Sequence, residues 1–212
     1  MDGNDSSSNA YELRDPDVRL MLEVRDDNAA AFEELVLRYQ NRLVAILEHL
    51  VGNRDLAEDL AQEVFLRVYR ARGRYEPTAK FSTWLFTIAN NVASNALRTK
   101  SRRKEVNWDS QEDGSQAIGF DQLLQVSSGQ MPARQLDKAE MKDIVSAAML
   151  TLNERQRMAV LLNKFESMSY ADIGEVMELS PKAIKSLLSR ARGKLKEIIE
   201  PYVEQGQKPR VQ

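Results

Sequence analysis

SYADIGEVMELSPKAIKSLLSRARGKLK, Ser169 to Lys196, is the stretch whose reading decides the fold, because it contains two helix starts in close succession. Ser169 followed three residues on by Asp172 fits a capping box, which predicts a helix beginning at Tyr170. Tyr170, Ile173, Val176 and Met177 then recur at helical spacing and predict a buried face. Ser180 before Pro181 is the second start, since a serine side chain caps free backbone N–H groups and proline is tolerated in the first helical turn. Ile184, Leu188, Ala191 and Leu195 form the inward stripe of this second helix. Lys182, Lys185, Ser186, Ser189 and Arg190 are left pointing outward, where they reach phosphates and base edges. Two short helices with a basic outer face are the pattern of a helix-turn-helix DNA reader. The plain alternative is a surface αα-hairpin whose basic face is merely solvated.

Composition bounds what surrounds this hairpin. The chain has 212 residues, 42% of them apolar, which is ordinary for a folded protein and enough for two small domains. Net charge is −2 with a pI of 5.7, which argues against a protein that coats nucleic acid without specificity. Positive charge is local, at Arg98 to Lys104 and Lys182 to Lys196, while Asp109 to Asp113 leans acidic. The absence of cysteine excludes disulfides, thiolate zinc sites and cysteine nucleophiles. His49, the single histidine, lies in an apolar helical run and reads as a packed helix residue. No apolar run approaches membrane-spanning length, and MDGNDSSSNAYELRD is unlike a signal peptide, so a cytoplasmic location is expected.

Upstream of the hairpin every patterned segment is helical. Residues 1–17 offer almost nothing to bury and read as a disordered tail. Periodicity starts near Val18 and breaks at Asp26-Asp27-Asn28. A long amphipathic helix runs from Ala29 toward Leu50, with Phe32, Leu35, Val36, Tyr39, Leu43, Ile46 and Leu47 on one face, and Gly52-Asn53 ends it. Asp55 and Glu58 read as the next capping pair, opening a helix with Leu56, Leu60, Val64, Phe65 and Val68 inward. GRYEPTA, residues 73–79, is a loop. A further helix is expected from Phe81 or Ser82 to about Arg98. There Trp84, Phe86 and Ile88 sit among Asn90, Asn91, Ser94 and Asn95, polar groups that helices do not favour. Asparagines and aromatics beside a basic cluster suit a surface that handles unstacked bases; the plain reading is a core tryptophan and solvated asparagines. Residues 101–135 are polar apart from Ile118, Phe120, Leu123 and Leu124, and read as an interdomain linker. Helices resume near Leu136 and again from Asn153 to Phe165. The expected fold is all-α, with two small helical domains at 18–100 and 136–200, the second containing the helix-turn-helix, and a tail at 201–212.

Four motifs in order resemble a bacterial sigma factor of the extracytoplasmic-function type. They are AFEELVLRYQNRL (31–43), AEDLAQEVFLRVYR (57–70), FSTWLFTIANNVASNALR (81–98) and LNERQRMAVLLNKFESMSYADIGEVMELSPKAIKSLLSRARGKL (152–195). The resemblance implies a promoter-specificity subunit without catalysis, cofactor or metal. It implies that Asp59, Gln62, Glu63 and Leu66 dock on the β′ clamp helices of core RNA polymerase. It assigns recognition and melting of the −10 element to Tyr75, Lys80, Phe81, Trp84, Asn91, Asn95 and Arg98, with a flipped base captured in a pocket. The helix from Pro181, with Lys182, Lys185, Ser186, Ser189 and Arg190, would read the −35 element beside the β flap. An anti-sigma factor is the implied regulator.

Three positions depart from the family pattern. Asn95 stands where aspartate is common, Glu178 where a turn glycine is usual, and Leu187 where an arginine is common, which removes one expected DNA contact. Two other readings compete on the residues alone. One is a helix-turn-helix regulator that acts without polymerase, which leaves the motif around Trp84 unexplained. The other is an all-α magnesium-dependent phosphohydrolase using Glu58, Asp59 and Glu63, for which no partnering acidic helix is evident.

Overall fold

The computed structural model describes residues 15–106 and 138–205. Among these there are eight α-helices and no strand: α1 Pro16–Arg25, α2 Ala29–Val51, α3 Arg54–Ala71, α4 Phe81–Val106, α5 Lys138–Leu150, α6 Glu154–Phe165, α7 Tyr170–Met177 and α8 Pro181–Gln205. A single 3₁₀ turn, Arg72–Arg74, follows α3.

Local chemistry sets most of the boundaries. Asn28 caps α2 by accepting from the N–H groups of Ala30 and Ala31. Gly52 closes it in the left-handed conformation, φ 71°. Asn153 with Gln156, and Ser169 with Asp172, form complete capping boxes at α6 and α7. Ser180 Oγ accepts from Ala183 N at 3.2 Å, so α8 starts at Pro181 as expected.

Four boundaries differ from the sequence reading, each for a reason outside local propensity. Asp15 to Asp17 belong to the fold and not to a tail. Asp15 caps α1, accepting from Asp17 N, and also accepts from Phe81 N at 3.1 Å, so one carboxylate ties the starts of α1 and α4. Asp17 accepts from the Tyr39 hydroxyl at 2.6 Å and pairs with Arg38. The cap of α3 is Asn53 and not Asp55, because its side chain reaches Leu56 N at 2.7 Å while Glu58 pairs with Arg54. α4 continues past Arg98 to Val106, through the basic cluster. α8 continues through Pro201 to Gln205, and Tyr202, 7% exposed, anchors turns that the proline would otherwise weaken. Ile118, Phe120, Leu123 and Leu124 lie outside the described residues.

α1 to α4 pack around Val18, Met21, Leu35, Leu43, Leu47, Val64, Leu85 and Phe86, all essentially without exposure. α5 to α8 pack around Ile144, Leu161, Leu162, Ile173, Ile184 and Leu188. Buried apolar residues of the two groups belong to one continuous cluster, because α4 lies along α7 and α2 meets α5 and α6.

Candidate nucleic-acid and polymerase interfaces

The helix-turn-helix is built as its sequence predicts, with one strained joint. Ile173 and Val176 are buried in α7, and Ile184, Leu188 and Ala191 in α8. Glu178 occupies the turn with φ 55°, a left-handed conformation that costs a non-glycine residue free energy. The turn closes by Leu179 N donating to Gly174 O at 2.9 Å. Gly174 is required there, since a Cβ on it would meet Leu179 O at 2.6 Å.

Lys182, Lys185, Ser186, Ser189 and Arg190 are all exposed on the outer side of α8. Farther along the same helix the cations are engaged internally. Arg192 donates to the Tyr170 hydroxyl at 2.9 Å, Lys194 to Thr151 O at 2.6 Å, and Lys196 pairs with Glu200. Lys182, Lys185 and Arg190 form no ion pair among the described residues, so their charge faces solvent. Leu187, where the resemblance implies a missing DNA contact, is 9% exposed and packs inward. With Arg190 and Asn153 to Gln156 it lines a 330 Å³ recess between the starts of α6 and α8. Its apolar side chain therefore serves packing and not the exposed outer side of α8.

The seven residues read as the −10 surface divide into two groups. Asn91, Asn95 and Arg98 are exposed along α4, Lys80 is exposed just before it, and Trp84 is half-buried. Tyr75 and Phe81, by contrast, are 3% and 1% exposed, so they are corrected from surface contacts to core residues. Tyr75 packs edge-on against Trp84 at 4.9 Å, Phe81 tilts against Trp84 at 6.1 Å, and Tyr39 packs edge-on against Phe81 at 5.3 Å. These rings fix the loop and the tryptophan in one orientation. Burial raises the Tyr75 hydroxyl above its ordinary pKa, and that hydroxyl has no hydrogen-bond partner among the described residues. Sequence alone could not separate the groups, because an aromatic residue is equally compatible with core and with base stacking.

Asp59, Gln62 and Leu66 are exposed and Glu63 is half-buried on the outer side of α3. Glu63 pairs with Arg67 and Glu58 with Arg54, so two of the three carboxylates considered for magnesium are matched by arginines. Gln62 also lines a 540 Å³ groove between α2 and α3, with Gln40, Asn41, Glu48, Glu58 and Phe65. The α2 side of this groove was missed in the sequence. Its only trace there is that Gln40 and Asn41 are polar breaks beside the apolar stripe.

An all-α chain with an aromatic-braced, asparagine-bearing helix in one half and a helix-turn-helix in the other has the two-part architecture expected of a helix-turn-helix protein with a second helical domain. The sequence matches the family described as Sigma-70 region 2 over residues 35–103 and that described as Sigma-70, region 4 over residues 142–195. It is 31% identical to the RNA polymerase sigma-H factor of Pseudomonas aeruginosa, over 91% of this chain and 98% of that protein. It is 37% identical to the RNA polymerase sigma factor CarQ of Myxococcus xanthus, over 82% of this chain and 92% of that one. Among solved structures, the sigma factor RpoE in complex with the anti-sigma factor NepR, from Bartonella quintana, superposes with a TM-score of 0.62 at 26% identity, covering 80% of this chain and 96% of that chain. CnrH, solved with the cytosolic domain of CnrY, has the same fold, with a TM-score of 0.61 over 85% of this chain and 95% of that chain.

The chain belongs to the extracytoplasmic-function group of the sigma-70 family of RNA polymerase sigma factors. Its function is therefore to bind core RNA polymerase and direct promoter-specific initiation. A regulator acting without polymerase is not favoured, because residues 35–103 match sigma region 2, which such a regulator does not need. No helix among the described residues is long and apolar enough to cross a membrane.

Proposed function

We propose that this sigma factor divides its work among three faces of the chain. Asp59, Gln62, Glu63 and Leu66, with the groove shared by α2 and α3, take the β′ clamp helices. Lys80, Trp84, Asn91, Asn95 and Arg98 read and open the −10 element, with Tyr75 and Phe81 bracing Trp84 from behind. Lys182, Lys185, Ser186, Ser189 and Arg190 enter the major groove of the −35 element, and the same half meets the β flap. The chain performs no catalysis of its own.

The observation that carries this reading is the charge arrangement on α8. Its outward cations near Pro181 face solvent while those farther along are tied to internal partners. A phosphate is the natural counter-charge for the first set. An anti-sigma factor is proposed as a regulatory partner, supported by the likeness to RpoE, which was solved with one bound.

The test is abortive initiation by core enzyme on fragmented DNA of the source genome, with and without the protein. Discrete new start sites should appear when it is added. No gain on any template would overturn the reading.

A further inference from the structure

We propose that α4 carries one further promoter contact, Arg102, which holds a phosphate of the paired duplex immediately upstream of the −10 element. The proposal rests on the sigma-factor reading and extends its −10 face beyond Arg98.

The helix outruns its packing. Val92 and Ala93 are the last buried residues of α4 among those described, and Leu97 is the last of them to touch the core. α4 nevertheless continues to Val106, so its last nine residues project about 13 Å beyond that support. In sequence this end holds five Lys and Arg residues against the single anion Glu105. Arg98, Lys100 and Arg102 are exposed and form no ion pair among the described residues. Arg98 and Arg102 stand four positions apart, a like-charge spacing that disfavours a helix standing alone. An external anion removes that repulsion.

The helical period says which anion. Trp84, Asn91, Asn95, Arg98 and Arg102 stand at i, i+7, i+11, i+14 and i+18 of one helix, which at about 100° per residue puts all five within about 60° of arc. Their chemistry changes along the stripe. The indole offers a stacking surface, the amides reach base edges, and the guanidinium groups fit phosphate oxygens in a planar fork. Opened bases call for the first two, whereas paired duplex presents its phosphates. The chain leaves α4 at Val106 toward the half that carries the −35 reader, so Arg102 lies at the upstream end of the stripe. From Trp84 to Arg102 the stripe is about 27 Å long, about eight base-pair rises of duplex. Lys100 lies about 160° around the axis from Arg102 and stands outside the stripe, although it carries the same charge two residues away. An acidic protein surface would also neutralise this end; alignment with the −10 stripe favours duplex DNA.

The test titrates holoenzyme made with the full chain onto duplex DNA that carries a start site mapped by abortive initiation. Arg102→Gln should weaken binding about tenfold and flatten the salt dependence by about one unit. Arg102→Lys should keep the slope, and Lys100→Gln should stay within about twofold of the parent. Uncharged methylphosphonate linkages at about four steps upstream of the −10 element should weaken the parent and abolish its advantage over Arg102→Gln. Equal losses at Lys100 and Arg102, no loss at Arg102, or a loss that persists on the uncharged linkages each overturns the contact. A parent indifferent to those linkages overturns it whatever the variants do. Weaker binding of Arg102→Gln to core enzyme without DNA would assign the residue to a protein surface and overturn it too. Failure of the parent to yield a start site on any genomic template overturns the sigma-factor reading itself, and this contact with it.

Discussion

The Arg42 guanidinium and the Glu166 carboxylate, 124 positions apart in sequence, meet in a two-pronged ion pair across the two halves of the chain. Parallel N–H···O bonds of this kind are geometrically demanding, so the pair fixes how α2 sits against the turn after α6. The neighbouring Arg157 extends the same contact into the backbone.

Arg157 directs all its guanidinium nitrogens at carbonyls: Met149, Leu150 and Leu152 in its own half, and His49 and Leu50 at the end of α2. It thereby caps two helix C-termini, where a cation is favoured, although burial lowers its pKa from the ordinary arginine value. Arg157→Ala leaves those carbonyls unmatched and should destabilise the chain by about 2–3 kcal/mol in urea unfolding. Arg157→Lys should recover only part of this, since an ammonium cannot reproduce the planar fork. Equal stability of all three proteins would contradict the capping role.

Asp172 makes the α7 cap and its ion pair with Lys80 sensitive to acid. Burial pushes its carboxyl up, but hydrogen bonds from Ser169 and Lys80 outweigh burial and hold it below its ordinary value. A carboxyl depressed in the folded state adds stability above its unfolded pKa, about 3.9, and loses it as pH falls through the folded value. Asp172→Asn should therefore be less stable than the parent at pH 7, with the gap closing below about pH 4. Thermal melts across that range decide it; a gap independent of pH would exclude the charge as its origin.

The turn of the helix-turn-helix should respond to glycine in opposite senses at its two ends. Glu178→Gly removes a left-handed non-glycine residue and should stabilise by up to about 1 kcal/mol. Gly174→Ala drives a Cβ to 2.6 Å from the Leu179 carbonyl oxygen and should destabilise by more than that gain. Denaturant midpoints of the two variants should move in opposite directions.

DNA affinity and core stability should separate along α8. Lys182→Ala, Lys185→Ala and Arg190→Ala should each weaken binding of the holoenzyme to promoter DNA and flatten the salt dependence by about one unit. Leu187→Ala should leave the salt slope unchanged while costing about 2 kcal/mol of stability, since Leu187 packs inward. Titrations at several salt concentrations, paired with unfolding curves, distinguish the two behaviours.

The extent to which the sequence was legible follows from the range of the forces involved. Both helix starts of the Ser169 to Lys196 stretch and the outward set on α8 were readable because capping, proline geometry and helical period act within a few residues, whereas the turn at Glu178 was marked only by the family resemblance. Asp15 and Asp17 were misread as tail because their value lies in partners far along the chain, Phe81 and Tyr39. Tyr75 and Phe81 were placed on the DNA face because their chemistry suits stacking, yet the rings of Tyr39 and Trp84 enclose them.

The sequence by itself determined an all-α chain with a helix-turn-helix reader and an asparagine-rich tryptophan helix, since these depend on local backbone and periodicity. Only the tertiary structure decided that the two halves dock through Arg42, Arg157, Lys80 and Asp172. Nothing in the spacing of those residues announces that contact, because a pairing across more than ninety positions is set by shape and charge complementarity between surfaces that exist only after each half has folded.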